Sequence, residues 1–387
     1  MAKLNAAITG VGFTEYSLNS GRSVLSLAIE ACQKAMHDAG LCPDDIDGLL
    51  EFNVGDSVPT EAVAAGLGLP VMNYALDWYA GGFAPSALLA NACMAIASGQ
   101  CKAALVYRAM NGRSGFRLGG SSGGDAFRPK WAGQYRVPYG WLTFGQNWAL
   151  WCRRHMIEYG TKPEHLAAIA ITQRANAVLN ERAVQRKPLT MDDYFSSRMI
   201  VDPFHLYDMA LETDGACALL VTSKEGARNS PKKPVFIRAA AFIGKSAIND
   251  PLWADCFLWP DLTENYTTLL APRLYRQARV RPEDIDVAEI YDCFTHTVLL
   301  GLEGLGFCPK GEGGPFAASG AIGLNGSIPT NTHGGMLSEA YIHGMNVVAE
   351  AVLQLRGEGG QRQVKDAEVA IVTSGASTLG SGCILSI

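Results

Sequence analysis

The sequence predicts an α/β protein built from two duplicated βαβ-type halves, and three observations carry that expectation. Pro43-Asp-Asp-Ile-Asp-Gly-Leu-Leu-Glu-Phe52 returns as Pro282-Glu-Asp-Ile-Asp-Val-Ala-Glu-Ile-Tyr291, an offset of 239 residues (282 minus 43). Each copy follows a segment with apolar residues at helical spacing, and each half closes with a helix and a strand (Ala103 to Arg108; Val369 to Ser374). Between them Pro231-Lys-Lys-Pro234 is a polar, proline-rich hinge, which divides the chain into residues 1–230 and 235–387.

In chain order, Asn5-Ala-Ala-Ile-Thr-Gly-Val-Gly12 is a short apolar run closed by glycine, a buried strand. Ser23 stands at the N-cap of a helix whose Leu25, Leu27, Ala28, Ala31 and Ala35 recur at helical spacing as far as Gly40. The first repeat segment turns at Pro43 into a second strand, and Val71 to Tyr79 is a third. Ala80-Gly-Gly-Phe-Ala-Pro-Ser86 leads into an alanine- and leucine-rich helix over 86–98, with the strand Ala103 to Arg108 after it. Such a glycine turn serves equally as tight packing or as a ligand site at a helix N-terminus.

From Gly112 to about Gly160 the pattern is irregular: a glycine-serine run at 119–124, then Phe127, Trp131, Tyr135, Tyr139, Trp141, Phe144, Trp148 and Trp151. This reads as an inserted loop region, extending over about 112–200, that covers a site or a subunit contact. Its basic residues Arg113, Arg117, Arg128, Lys130, Arg136, Arg153 and Arg154 suit the phosphates of a nucleotide-like ligand, with ion pairs or a solvated face the plainer reading of each. Pro163 opens a helix to about Asn180, and Thr213-Asp-Gly-Ala-Cys-Ala-Leu-Leu-Val-Thr222 is a glycine turn entering a buried strand. Beyond the hinge come a strand from Val235 to Ile243 and a helix from Asn265 to Arg279. Ser327-Ile-Pro-Thr-Asn-Thr-His-Gly-Gly-Met-Leu-Ser-Glu-Ala-Tyr-Ile-His-Gly-Met345 reads as a strand end, a glycine turn and a helix start.

A net charge of -5 excludes the basic stripe of a nucleic-acid binder, and no apolar run reaches the roughly 20 residues of a bilayer span. With no signal-peptide pattern either, a cytoplasmic protein is expected. The 48% hydrophobic content and 42 glycines imply broad buried interfaces and hence an oligomer. Ten cysteines stand singly, with neither a Cys-x-x-Cys pair nor zinc-ligand spacing, so no metal is expected.

The duplication, the hinge and the segments Thr213 to Thr222, Val201-Asp-Pro203 and Asn331-Thr-His-Gly-Gly335 together resemble the thiolase superfamily, in particular its sterol carrier protein X branch, over nearly the whole chain. That resemblance implies a thiolase fold with a layered α/β/α/β/α core. Thiolases carry a nucleophilic cysteine on the turn after the third strand, but Ala80 to Ser86 has none, and Cys93 lies two turns too far along the helix. In this branch a histidine precedes Asp-Cys-Phe, and here Glu289-Ile-Tyr-Asp-Cys-Phe294 puts Tyr291 in that slot. The histidine of a Gly-His-Pro motif becomes Tyr341, and the cysteine before the last glycines becomes Ser374.

Two tyrosines in acid-base slots resemble the thiolase-like aldolases of bacterial steroid side-chain degradation. This implies retro-aldol cleavage of a steroid-derived β-hydroxyacyl-CoA to a ketone such as a 17-ketosteroid plus propionyl-CoA, with no acyl-enzyme. Tyr291 is assigned to the hydroxyl proton and Tyr341 to protonating the enolate, the reverse being the other option. Gly81, Gly82 and Gly375 are candidate oxyanion or thioester-binding positions, and His296, His333, His343 and Ser374 candidate supporting groups. No cofactor beyond the CoA thioester substrate is expected. Relatives of this type imply a homodimer and a small partner with an OB-fold and a zinc ribbon. The alternatives are a thiolase or acyltransferase with an atypical nucleophile such as Cys293, and a non-catalytic lipid or acyl-CoA carrier.

Overall fold

A computed structural model describes residues 4–119, 137–244 and 261–387. The first half runs β1 (Ala6–Phe13), α1 (Val24–Ala39), β2 (Gly48–Asn53), α2 (Thr60–Leu67), β3 (Tyr74–Tyr79), α3 (Pro85–Ala97) and β4 (Ala103–Asn111). Next come α4 (Phe144–Tyr159), α5 (Pro163–Val178), α6 (Met191–Ser196), the hairpin β5 (Met199–Val201) and β6 (Phe204–His205), and β7 (Asp214–Ser223). The second half contains β8 (Val235–Gly244), α7 (Thr267–Ala278), β9 (Val287–Glu289), α8 (Thr295–Gly304), α9 (Gly313–Ala318), α10 (Gly335–Ser338), α11 (Met345–Arg356), β10 (Val369–Ser374) and β11 (Leu379–Ser386).

The duplication holds at residue level. The two repeat segments begin with 3-10 turns at Pro43–Asp45 and Pro282–Asp284, closed by Asp45 and Asp284 carboxylates accepting from the backbone N–H of Cys42 and Arg281. β2 and β9 then start 239 residues apart, at Gly48 and Val287. The nine-stranded sheet has the order β3-β2-β4-β7-β1-β8-β11-β10-β9. Its halves join where β1 meets β8, through only the pairs Ala7–Phe236 and Ile8–Val235. Beyond β9 one bridge, Ala288 to Thr330, stands where β3 lies beside β2 in the first half.

Period-two alternation of the strands sets the layers. In β4, Leu105 and Tyr107 pack with Leu27, Ala28 and Ala31 of α1, whereas Ala104 and Val106 point to a core shared with Leu88 and Leu89 of α3. In the second half Ile371 and Ile384 pack with Leu270 and Leu274 of α7, while Val372, Cys383 and Leu385 join the α3 and α11 side. Helices α3 and α11 thus lie between two half-sheets, with α1 and α7 outside, which is the expected five-layer order.

Two expectations need correction. The stretch 112–160 is not irregular throughout: Phe144–Tyr159 is a 16-residue helix, opened by a capping box between Thr143 and Gln146. Its buried Trp148, Trp151, Cys152 and His155 fall at helical spacing, a pattern masked in the sequence by the surrounding aromatics. The third strand starts at Tyr74 rather than Val71, and its alternating exposure is that of an edge strand. Phe127, Trp131, Tyr135, Arg128, Lys130, Arg136 and the glycine run beyond Gly119 lie outside the described residues. Of the other basic residues, Arg117 pairs with Glu212 at 2.7 Å, Arg153 with Asp202 and Arg154 with Glu158. No helix among the described residues is long and apolar enough to cross a membrane.

Candidate active site

Tyr291 follows β9 by two residues and Tyr341 lies between α10 and α11, yet their side chains meet, each phenol perturbing the ionisation of the other. Backbone contacts from several separate segments bring them together. Asn331 adopts a left-handed φ of 49° and clamps the strand end, its amide donating to Ile290 O at 2.9 Å and accepting from Ile290 N at 2.7 Å. Thr373 Oγ1 accepts from Tyr291 N at 3.0 Å, and Thr297 Oγ1 donates to Tyr291 O at 3.0 Å. Thr213 Oγ1 accepts from Tyr341 N at 3.0 Å, beside a bridge between Glu212 and Tyr341. Asp292 caps the short helix α10, accepting from the N–H groups of Met336 and Leu337 at 2.9 and 3.2 Å. A Cβ at Gly335 would stand 2.0 Å from that carboxylate, which accounts for the second glycine of the motif.

Both phenols are held protonated. Burial, with Tyr341 and Cys293 beside it, keeps Tyr291 well above the ordinary range. Burial raises Tyr341 as well, while the neighbouring Tyr291 hydroxyl and the charge of Arg108 act in the opposite sense. Turn 80–82 lies directly on the Tyr291 hydroxyl, since a Cβ at Gly82 would meet that oxygen at 2.0 Å. Gly82→Ala is therefore expected to displace the phenol and lower kcat/KM about 100-fold, the cost typical of an ångström-scale misplacement; steady-state kinetics of the variant checks this.

A third group faces the same place. His343, at φ 53°, packs its ring 5.3 Å from Tyr341 and 5.6 Å from Phe52, and its Nδ1 is 3.4 Å from a guanidinium nitrogen of Arg108. Burial, then the charge of Arg108, push His343 down to about 3, so the ring is neutral at physiological pH. Arg108 is fully buried, ion-paired with Asp56 at 2.5 Å and placed 5.2 Å over the Phe52 ring. Burial works against the Asp56 charge, but Arg108 outweighs it. Sequence reasoning took Arg108 merely as the end of a strand. The available signal was an arginine inside the apolar run Ala103 to Met110, where a buried charge requires a partner.

The remaining candidates divide. The N–H groups of Gly81 and Gly82 have no acceptor among the described residues, whereas Gly375, at φ 119°, is required by its approach to Leu379 O and Phe83. Ser374 Oγ is 2.9 Å from Ser86 Oγ and accepts from Ser86 N at 3.3 Å, while Ser381 Oγ accepts from Ala87 N at 3.0 Å. The two serines cap helix α3 across the sheet, occupying the N–H groups that would favour a thiolate or ligand there. His296 is not at the site: it packs 5.8 Å from His155 on α4, and burial pushes its pKa well below the ordinary value. Cys93 is pushed up to about 12 by burial, and Cys293, the thiol beside the phenols, is raised further.

His333 is also away from the phenols, in a buried charge network with Glu289 at 3.1 Å and Glu339 at 3.7 Å. Burial opposes its charge, but Glu339 and Glu289 outweigh it and push the imidazole up to about 9. The folded chain thus binds this proton more tightly than the unfolded one, whose histidine titrates near ~6.5. That stabilisation is complete below pH ~6.5 and is lost as pH rises through about 9. Thermal midpoints measured from pH 6 to 10 are expected to fall over that window, and His333→Gln to flatten the fall.

Over nearly its whole length the chain is similar to known proteins. Residues 255–386 match the family described as thiolase C-terminal domain-like. The steroid side-chain-cleaving aldolase of Thermomonospora curvata is 41% identical over 98% of this chain and 97% of its own. This chain belongs to the thiolase-like steroid side-chain-cleaving aldolases. A second member of that aldolase family, the 17-hydroxy-3-oxo-4-pregnene-20-carboxyl-CoA lyase of Mycobacterium tuberculosis, is 39% identical over 98% of each chain. The solved Ltp2-ChsH2(DUF35) aldolase superposes with a TM-score of 0.90 at 39% identity, over 99% of this chain and 98% of that one. Outside the aldolases, the acetyl-CoA acetyltransferase of Syntrophomonas wolfei shares the fold, with a TM-score of 0.71 at 17% identity over the whole of both chains.

Proposed function

We propose that this chain is a carbon–carbon lyase that cleaves a steroid-derived β-hydroxyacyl-CoA by a retro-aldol reaction, without an acyl-enzyme. The observation that carries the reading is the contact between two protonated phenols. A retro-aldol reaction moves one proton from the β-hydroxyl to the α-carbon as the bond between α- and β-carbons breaks. The two neighbouring phenols supply that path. The substrate hydroxyl gives its proton to the Tyr291 oxygen, Tyr291 passes its own to Tyr341, and Tyr341 protonates the α-carbon of the enolate. Each phenol ends neutral, so no phenolate is needed, in keeping with the raised phenol pKa values.

The substrate in the name of the 39%-identical lyase fits this chemistry. A hydroxyl on carbon 17 and a thioester on carbon 20 stand in the β-hydroxyacyl relation, and cleavage between those carbons yields a 17-ketosteroid and propionyl-CoA. Cys293 is a poor alternative nucleophile, because burial keeps its thiol protonated. The two-component name of the related solved aldolase supports a protein partner for this chain; we infer a small OB-fold and zinc-ribbon protein, with the chain itself dimeric. No cofactor beyond the thioester enters the scheme.

Testing requires the chain, with and without such a partner, and β-hydroxyacyl-CoAs of increasing bulk. The expected result is ketone plus propionyl-CoA from the 17-hydroxy steroid thioester. Binding of these thioesters without turnover, partner present, would instead identify a carrier.

A further inference from the structure

We propose that His343 donates a hydrogen bond from Nε2 to the thioester oxygen of the substrate, and that Arg108 and Asp56 are positioning residues that fix its tautomer. Guanidinium nitrogens only donate, so the 3.4 Å contact with Arg108 requires a lone pair on His343 Nδ1. A neutral imidazole with its lone pair there carries its proton on Nε2. Arg108 cannot turn away, since it is fully buried and held by Asp56 Oδ2 at 2.5 Å and Ala109 O at 3.2 Å.

Nε2 faces the glycine turn: a Cβ at Gly81 would stand 3.8 Å from it. The ring lies between Phe52 and Tyr341, on a left-handed corner that continues into Gly344 at φ 89°, whose would-be Cβ position lies 2.9 Å from the Tyr291 ring. That corner sets the imidazole against the same small region as both phenols. With Nδ1 occupied and Nε2 protonated, His343 is a donor and no base. In the retro-aldol reaction, on which this proposal rests, the β-hydroxyl must give up its proton. The acceptor on which negative charge grows is the thioester oxygen, and a preorganised donor is most effective there. The free N–H groups of Gly81 and Gly82 flank it.

The test uses the full chain and two variants that rank oppositely under the two possible roles. Glutamine places an amide donor near the Nε2 position. Asparagine keeps a polar group toward Arg108 and accepts a left-handed backbone more readily. His343→Asn is expected to lower kcat at least ~100-fold with KM nearly unchanged, and His343→Gln to recover to within ~10-fold of wild type. A structural role predicts the reverse order, which would overturn the proposal. Independently of turnover, propionyl-CoA labelled with carbon-13 at its carbonyl should show a lowered C=O stretching frequency when bound to the wild type and His343→Gln, but not to His343→Asn. No lowering in the wild type, or lowering that survives in His343→Asn, would overturn the contact. If the wild type cleaves no hydroxyacyl-CoA the lyase reading fails, and the carbonyl frequency still decides the role of His343.

Discussion

Tyr341→Phe is expected to lower kcat for side-chain cleavage at least ~100-fold while KM stays close to the wild-type value. The substitution keeps the ring against His343 and Tyr291 and removes only the oxygen that links Tyr291 to the α-carbon. Tyr291→Phe interrupts the same path at its entrance, so a loss of similar size follows. In the proposed relay the two phenols pass a single proton in series, so the double variant should be little worse than either single one. Steady-state and single-turnover rates for the three proteins check both the size of the loss and its non-additivity. Independent contributions would multiply, and a purely structural pair would leave kcat near wild type in all three.

Arg108→Met is expected to destabilise the fold by ~3–5 kcal/mol, because it leaves the Asp56 carboxylate buried without its charge partner. Exposed ion pairs contribute at most ~1 kcal/mol, and the difference here lies in burial: the side chains of Arg108 and Asp56 are 0% and 2% exposed. Urea denaturation of the single variant and of Arg108→Met/Asp56→Leu separates the explanations. The double variant should recover most of the loss, since an apolar replacement of both partners leaves no orphaned charge. It should remain catalytically impaired, because His343 has lost the group that fixes its tautomer.

The repeated segments of the fold were legible because their turns are written in local chemistry. Pro43 and Pro282 each start a 3-10 turn closed by an aspartate two residues on, and apolar strands follow. Tyr291 and Tyr341 were singled out only against the thiolase pattern; neither has a local signature, and two separate turns bring the residues together. Ser374 stood in a cysteine slot and invited a chemical role, whereas it accepts from Ser86 N, 288 residues away, and serves with Ser381 to cap α3. Arg108 was missed for the same reason, its carboxylate lying 52 residues distant on a loop after β2. Of the three histidines singled out, burial and partners separate them: His333 stays charged between glutamates, His296 lies against α4, and His343 joins the phenols. Charge pairing across the fold is not encoded in spacing along the chain.

Cleavage by the proposed route moves one proton through the phenol pair and passes no acyl group to the protein. Its most direct test is the product balance in D2O with no free CoA added, starting from the 17-hydroxy steroid thioester. The expected result is one ketosteroid for each propionyl-CoA, a single deuterium on the α-carbon, and an intact protein of unchanged mass throughout turnover. Cleavage that waits for added CoA, together with an acylated protein, would contradict it.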